Sequence, residues 1–265
     1  MSVLTTTRLG LSMDVDSTPA FAQRLIRLEN EATLKHDYCS FHARRFQYVL
    51  NLCKELKSGS SCSVLDVGRS QLSSELAHHY RRVVTLGFPL NNFAHEKVDP
   101  AAKAEPAAHV IFDLNDCDRE AIPISERFDL IVFAETIEHL YSAPEIVLHA
   151  LGKLLKQDGF LVCQTPNAAA LERRYHLLLG RNPFERIRSN RLNPGHFREY
   201  TRDELIDLGR VAGLGIVRHR YLDYFPHAGP FQIIRSALRE VFPPLRSGQT
   251  IIYDKGGRNL SSGEK

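Results

Sequence analysis

"RFDLIVFAETIEHLYSAPE", residues 127–145, starts as one kind of structure and finishes as another. Its first half is a short apolar run with no alternation of wet and dry positions. A run of that length, bounded by charges, reads as a strand buried on both faces. Its second half sets Ser142 and Glu145 at capping-box spacing, ahead of the helical pattern "APEIVLHALGKLLK" at 143–156. That helix is expected to stop at Asp158–Gly159. A doubly buried strand that feeds a helix is the repeating unit of a parallel sheet covered on both sides. Between the two halves Glu135, Glu138 and His139 fall within five positions. Residues i, i+3 and i+4 of a helical turn share a face, so these side chains are expected to converge just past the strand end.

The same unit recurs outward in both directions. Upstream, "SCSVLDVG" (61–68), "RRVVTLGF" (81–88) and "AHVIFDLND" (108–116) read as strands, with the helix "SQLSSELAHHY" (70–80) after the first. Downstream, "FLVCQTPN" (160–167) is a fifth strand. Thr201 and Glu204 form a second capping box, for the helix "RDELIDLGRVA" that Gly213 stops. "GIVRHRYLDYF" (215–225) and "QTIIYDK" (249–255) are late strands around the helix "PFQIIRSALREVF" (230–242). Two helical patterns, 21–36 and 41–56, precede the sheet, and no repeat is visible. The organisation read from this is a mobile tail at 1–20, N-terminal helices packed on the core at 21–57, one domain at 58–254, and a mobile tail at 255–265. Ligands of open α/β sheets bind beyond the C-terminal strand ends, near the switch point. This singles out Gly68, Asp113, Glu135 and Pro166–Asn167. The segment 168–200 is an insertion able to fold over that edge.

A 43% hydrophobic and 25% charged composition is that of an ordinary globular chain, and 265 residues can bury one large core. A net charge of +3 is too small to argue for nucleic acid, but the charge is unevenly spread. Between Arg173 and Arg202 eight arginines face only Glu185 and Glu199, a local excess of +6. Guanidinium forks suit phosphate, so an anionic acceptor such as a phosphorylated lipid or nucleotide sugar is expected there; the plain alternative is a solvated helix face. Nucleic acid is disfavoured because no basic platform interleaved with aromatics is present. The five cysteines are scattered and never spaced C-x-x-C, which argues against a disulfide framework or thiolate zinc site and for a reducing compartment. No apolar run reaches the ~18 residues of a membrane span. The first residues carry Asp14 and Asp16 and no long apolar stretch, unlike a signal peptide. A cytoplasmic protein is expected.

Three motifs, in order, resemble the class I S-adenosylmethionine-dependent methyltransferases of the type 11/23 kind. They are "VLDVG" (64–68), "FDLIVFAETIEHL" with its following helix and "LLKQDGFLVCQTPN" (154–167), and "HFREYTRDELIDLGRVAGLGIV" (196–217). The resemblance spans roughly residues 60 to 254. It implies an α/β fold, a Rossmann-like doubly wound sheet of seven strands whose last, "QTIIYDK", is antiparallel, with N-terminal helices and a helical substrate-side insertion. It also implies S-adenosylmethionine as cofactor. The implied contacts are Asp66, Gly68 and Ser70 at the methionine end, Leu114 and Phe88 against the adenosine, Asp113 for the adenine amino group, and Glu135. Plainer readings are a solvated turn for Asp113 and a core position for Phe88. Two departures stand out. The family's D-x-G-x-G-x-G is here "DVGRSQLS", and the second strand ends "TLGFPL" without the ribose-binding acid. Loss of one charged hydrogen-bonding partner costs about 1.5–3 kcal/mol, which other contacts could absorb.

Glu135, Glu138, His139 and His196 of "NPGHFREYT" resemble the E-x-x-E-H and downstream His of small-RNA 2′-O-methyltransferases, and a metal site of ubiquinone-biosynthesis O-methyltransferases. Two carboxylates and two imidazoles suit Mn²⁺, Fe²⁺, Co²⁺ or Zn²⁺ ahead of Mg²⁺. Without a metal, His139 or His196 is a candidate general base, or the group makes ordinary hydrogen bonds. The expected reaction is methyl transfer to an oxygen, less readily a nitrogen, of a small or lipid- or sugar-linked acceptor. A rival reading is a degenerate methyltransferase fold acting as a binding or scaffold protein, favoured by the two departures and opposed by the polar cluster. A nicotinamide enzyme is disfavoured because G-x-G-x-x-G is missing.

Overall fold

The computed structural model describes residues 36–89, 106–189, 194–224 and 232–256. The helix expected over 21–36, most of both terminal tails, and Arg191 lie outside the described residues. A long helix, α1 (His36–Leu56), leads into β1 (Ser63–Val67), α2 (Gln71–His79), β2 (Arg82–Gly87) and β3 (Ala108–Ile111). Then come β4 (Phe128–Ala134), α3 (Pro144–Lys153), β5 (Leu155–Pro166), α4 (Leu171–Leu178), α5 (Arg202–Val211), β6 (Gly215–Leu222), α6 (Gln232–Val241) and β7 (Gly248–Asp254). The sheet has seven strands in the order β3-β2-β1-β4-β5-β7-β6. β1 to β5 run parallel, and β7 is antiparallel to both neighbours. The expected α/β class, doubly wound sheet and antiparallel last strand are all present.

Two apolar layers sandwich the sheet. Leu148 and Leu151 of α3 and Leu205 of α5 pack with Leu65, Ile131 and Tyr253 on one face. Phe46 and Leu52 of α1 and Leu72 and Leu76 of α2 pack with Val64, Val132 and Val162 on the other. Because both faces are covered, the central strands have no wet side, which is why β4 shows no alternation.

Two boundary expectations fail for identifiable reasons. Helix α3 starts at Pro144 with Ala143 as an N-cap that makes no side-chain bond, so Ser142 and Glu145 form no capping box. Proline at the first helical position has φ already set and lacks only an amide that would go unused. At the other end α3 stops at Lys153, and the residues expected to finish it begin β5 instead. Leu155 pairs with Phe128, then the register shifts and Phe160 pairs with Leu130. Gly159 permits this, since a Cβ there would lie 2.9 Å from the Phe128 carbonyl oxygen.

The strand order reverses between β1 and β4. Asp66 is paired with Val132 and Val67 with Phe133, so the two strands end side by side. The candidate site occupies that switch point.

Candidate active site

The turn after β1 is closed by its own side chains. Gly68 has φ of +84°, the left-handed region that favours glycine. Ser70 caps α2: its Oγ accepts from the Leu72 amide at 3.3 Å, while the Ser70 amide donates to Ser73 Oγ at 3.0 Å. Ser73 Oγ in turn donates to Asp66 Oδ2 at 2.6 Å. Ser70 and Leu72 therefore stand where the family carries its later glycines, and Ser70 with Ser73 completes a capping box and a carboxylate partner. The Leu72 amide at the helix start is already capped by Ser70. Asp66 is buried, and desolvation raises its pKa to about 7 against the opposing pull of the Ser73 bond and the Arg45 charge.

The turn after β4 is built otherwise. Glu135 has φ of +51°, the one positive φ outside glycine among the described residues. Its amide donates to the Gln164 carbonyl at 2.8 Å. This kink interrupts the helical succession, and only Ile137–His139 form a single 3₁₀ turn. The i, i+3, i+4 argument therefore does not reach Glu135. Ligand-capable atoms of Glu138, His139 and His196 do gather, all within 4.8 Å of one another, and Glu135 lies outside that group. Of the four residues expected to converge these three gather most tightly, and Glu135 stands near them as a charge felt by Glu138. Glu138 is 0% exposed; its Oε2 accepts from Thr165 Oγ1 at 2.9 Å and its buried Oε1 has no partner. Desolvation, then the nearby Glu135 charge, push the Glu138 pKa well above the usual carboxylate range.

The two imidazoles come from different segments and meet edge to face, ring centroids 4.9 Å apart. His139 Nδ1 lies 2.9 Å from the Gly195 carbonyl oxygen, which can only accept, so Nδ1 donates. His196 Nδ1 lies 3.1 Å from Glu199 Oε1. Glu199 also accepts from Arg173 Nε at 3.0 Å and from Nη2. Each ring, when neutral, thus leaves Nε2 as a bare lone pair. Burial lowers the His139 pKa and keeps that ring neutral. The insertion loop is clasped to the strand end: the Phe197 and Arg198 amides both donate to the Glu138 carbonyl, at 2.8 and 3.3 Å.

Two functional residues escape the sequence reading. Arg45 of α1 is 5% exposed, and its charge lowers the pKa of Asp66, Glu135 and Glu138 alike. Its only sequence signal is register: Arg45 falls on the helix stripe of Val49, Leu52 and Cys53, whereas Arg44 faces solvent. The second is Glu199, placed three residues after His196 like many surface acids. Of the residues expected around an adenosine, Phe88 is 41% exposed, so it is not a core residue. Asp113 caps the 3₁₀ turn Leu114–Asp118, its Oδ1 accepting from the Asn115 amide and Nδ2, both at 2.9 Å. Leu114 is buried in the apolar layer beneath.

A family model of the methyltransferase domain matches residues 35–219. The chain belongs to the methyltransferase-domain family, the class I S-adenosylmethionine-dependent enzymes. No curated protein sequence matches this methyltransferase. Its fold is similar to an S-adenosylmethionine-dependent methyltransferase from Clostridium acetobutylicum at 14% identity, covering 90% of this chain and 99% of that one, with a TM-score of 0.56. It is also similar to the N-methyltransferase NodS of Bradyrhizobium japonicum, solved with S-adenosyl-L-homocysteine, at 17% identity, 89% and 99% coverage and a TM-score of 0.55. A third likeness is to a chain of the Haloferax volcanii complex between the Trm112 methyltransferase activator and a methyltransferase: 16% identity, 92% and 98% coverage, TM-score 0.53.

The insertion of this methyltransferase carries less free charge than its sequence implies. Arg173 pairs with Glu199, Arg188 with Glu185, Arg198 with Glu204 and Arg202 with Asp203. Asp203 and Glu204 sit just past the window that gave the +6. Arg174 donates to the Ala169 carbonyl at 2.7 Å. Among the described residues Arg174, Arg181 and Arg186 of the insertion have no acid partner.

Proposed function

We propose that this methyltransferase moves the methyl group of S-adenosylmethionine to an oxygen of a small, lipid-linked or sugar-linked acceptor. The reading rests on one observation: ligand-capable atoms of Glu138, His139 and His196 gather within 4.8 Å of one another at the switch point, and Glu138 keeps a buried Oε1 without a partner. The chain's residues fit the cofactor. Gly68 offers a backbone with no side chain in front of it, Asp66 a buried carboxylate for an ammonium, Arg45 a buried guanidinium for a carboxylate, and exposed Phe88 a face for a ring. When bound, S-adenosylmethionine supplies an electrophilic methyl on a sulfonium.

The protein's part is alignment and proton removal. An acceptor hydroxyl held near Nε2 of His139 or His196 can pass its proton there, since both rings have their Nδ1 protons tied to fixed acceptors. The loop 194–198 closes over this point and limits water. The same three groups fit a divalent cation. In metal sites each ligating imidazole typically donates its other N–H to a carbonyl or carboxylate, and His139 and His196 already do so. A cation held by Glu138, His139 and His196 would lower the pKa of a bound hydroxyl. An N-acceptor would not need that help, which is why oxygen is preferred.

Calorimetric titration with S-adenosylhomocysteine tests the cofactor, and metal content after dialysis against Mn²⁺ or Zn²⁺ tests the cation independently of turnover. Binding of the first with His196→Ala losing the second is the expected pair of results. No heat at millimolar ligand would overturn the cofactor assignment.

A further inference from the structure

Helix α4 leaves the body of the molecule as it proceeds. Its first turn is half-buried, yet every residue from 174 to 182 is exposed. That stretch is longer than a full helical turn, so the end of α4 stands clear on all sides. The residues there are not those of a solvated tip. Leu177 is 58% exposed, Leu178 84%, and Tyr175 and Leu179 about as open as Leu177; beyond the Gly180 turn, Phe184 and Ile187 are exposed too. Helix α6 adds Leu238, Val241 and the following Phe242, all exposed. It is tied to the first turn of α4, where Arg235 and Arg239 both donate to Glu172 Oε1. An exposed apolar cluster like that at the α4 tip marks an interaction site.

At the α4 tip the charges without an opposite partner are positive, whereas the end of α6 adds the exposed Glu240. Glu172, Glu185 and Glu199 are each held by an arginine, which leaves Arg174, Arg181 and Arg186 without an acid partner among the described residues. From 171 to 188 there are five arginines and two glutamates. A flat protein face could cover one side of α4, whereas a tip exposed all round is best covered by a medium that can flow around it. Leucine and aromatic side chains beside arginines suit the boundary between anionic headgroups and acyl chains. No helix among the described residues is long and apolar enough to cross a membrane, so such contact would be peripheral.

We propose that the α4 tip is a docking surface for an anionic lipid bilayer. The docking stands apart from the catalytic reading, since none of its residues belongs to the site. The test is flotation of the full chain with phosphatidylcholine vesicles, with and without phosphatidylglycerol. The protein should float with the anionic vesicles and be released by high salt. Leu177→Ser with Leu178→Ser, and separately Arg181→Glu with Arg186→Glu, should each weaken partitioning by roughly ten-fold or more. Melting temperature and S-adenosylhomocysteine affinity should not move, because these side chains touch neither core nor site. Absence of flotation, or equal flotation of the leucine variant, overturns the proposal. So does a wild-type dimer in light scattering that the leucine variant converts to monomer, which would assign the patch to a second copy of the chain.

Discussion

The two turns that frame the site, 66–73 after β1 and 134–139 after β4, bury carboxylates at the same open edge in opposite ways. In the first, the left-handed residue is Gly68, Asp66 receives the Ser73 hydroxyl, and the next helix is capped on both sides. In the second, the left-handed residue is Glu135, Glu138 keeps a buried oxygen with no partner, and Thr136 makes no capping bond. A left-handed residue other than glycine costs roughly 1–2 kcal/mol, and an unsatisfied buried acceptor about 1–3 kcal/mol. The first turn is complete as folded. The second carries strain and an open valence, which persist where surrounding structure and a ligand justify them. The contrast fits the proposed division, in which the first turn binds the cofactor and the second carries the chemistry.

The largest effect expected from that division is at Glu138. Glu138→Gln keeps size and the Thr165 contact but removes the carboxylate. Turnover should fall by roughly 100-fold or more, while S-adenosylhomocysteine affinity stays within about three-fold. A variant that loses ligand affinity and rate together would erase the distinction between the turns.

Asp66 supplies the converse, somewhat smaller effect. Its folded pKa is raised from 3.8 to about 7 by burial. In the ligand-free protein its contribution to stability is therefore full below about pH 4 and lost as pH rises through about 7. A cofactor ammonium next to it favours the ionised form. S-adenosylhomocysteine affinity should accordingly rise as pH passes through about 7, and Asp66→Asn should flatten that profile. The same change should weaken binding by roughly 10- to 100-fold at alkaline pH, the range of a lost charge-assisted contact. A pH-independent wild-type affinity would detach Asp66 from the cofactor.

The contrast also explains what could be read from the sequence. Strands buried on both faces announce themselves as apolar runs, so β1, β4 and the sheet topology were legible. So were His139 and His196, whose motif survives whatever the loop does. Glu135 was misplaced because helical spacing was assumed across a residue that turns left-handed, and nothing local marks a glutamate for that conformation. Ser142 and Glu145 matched a capping box, yet Pro144 fixed the helix start by itself. Arg45 and Glu199 were missed because their roles depend on contacts across the fold: α1 packing over the strand ends, and Arg173 of α4 reaching Glu199. The charge of the insertion was overread because two of its acid partners, Asp203 and Glu204, lie just outside the window in which the arginines were counted.

The smallest effect is the most direct probe of strain. If Glu135 holds a left-handed backbone at a cost, Glu135→Gly should relieve it. Glycine itself loses about 0.5–1 kcal/mol to the entropy of ordering a freer chain, which offsets part of the roughly 1–2 kcal/mol of relieved strain. Removal of the carboxylate adds to the gain, because burial disfavours its charge and raises its pKa. The net should be about 1 kcal/mol of added stability, seen as a rise in Tm of roughly 2–4 °C for a chain of this size. Gly68→Ala, the matching change in the other turn, should lower Tm instead, since it imposes the same conformation on a side chain that the wild type avoids. Turnover of Glu135→Gly should fall even as the protein becomes more stable, because the Glu135 charge acts directly on Glu138. Equal and opposite shifts in Tm at the two turns would establish that the strain lies in the backbone of the β4 turn. A Glu135→Gly variant less stable than wild type would show that the surrounding contacts of Glu135 outweigh its conformation.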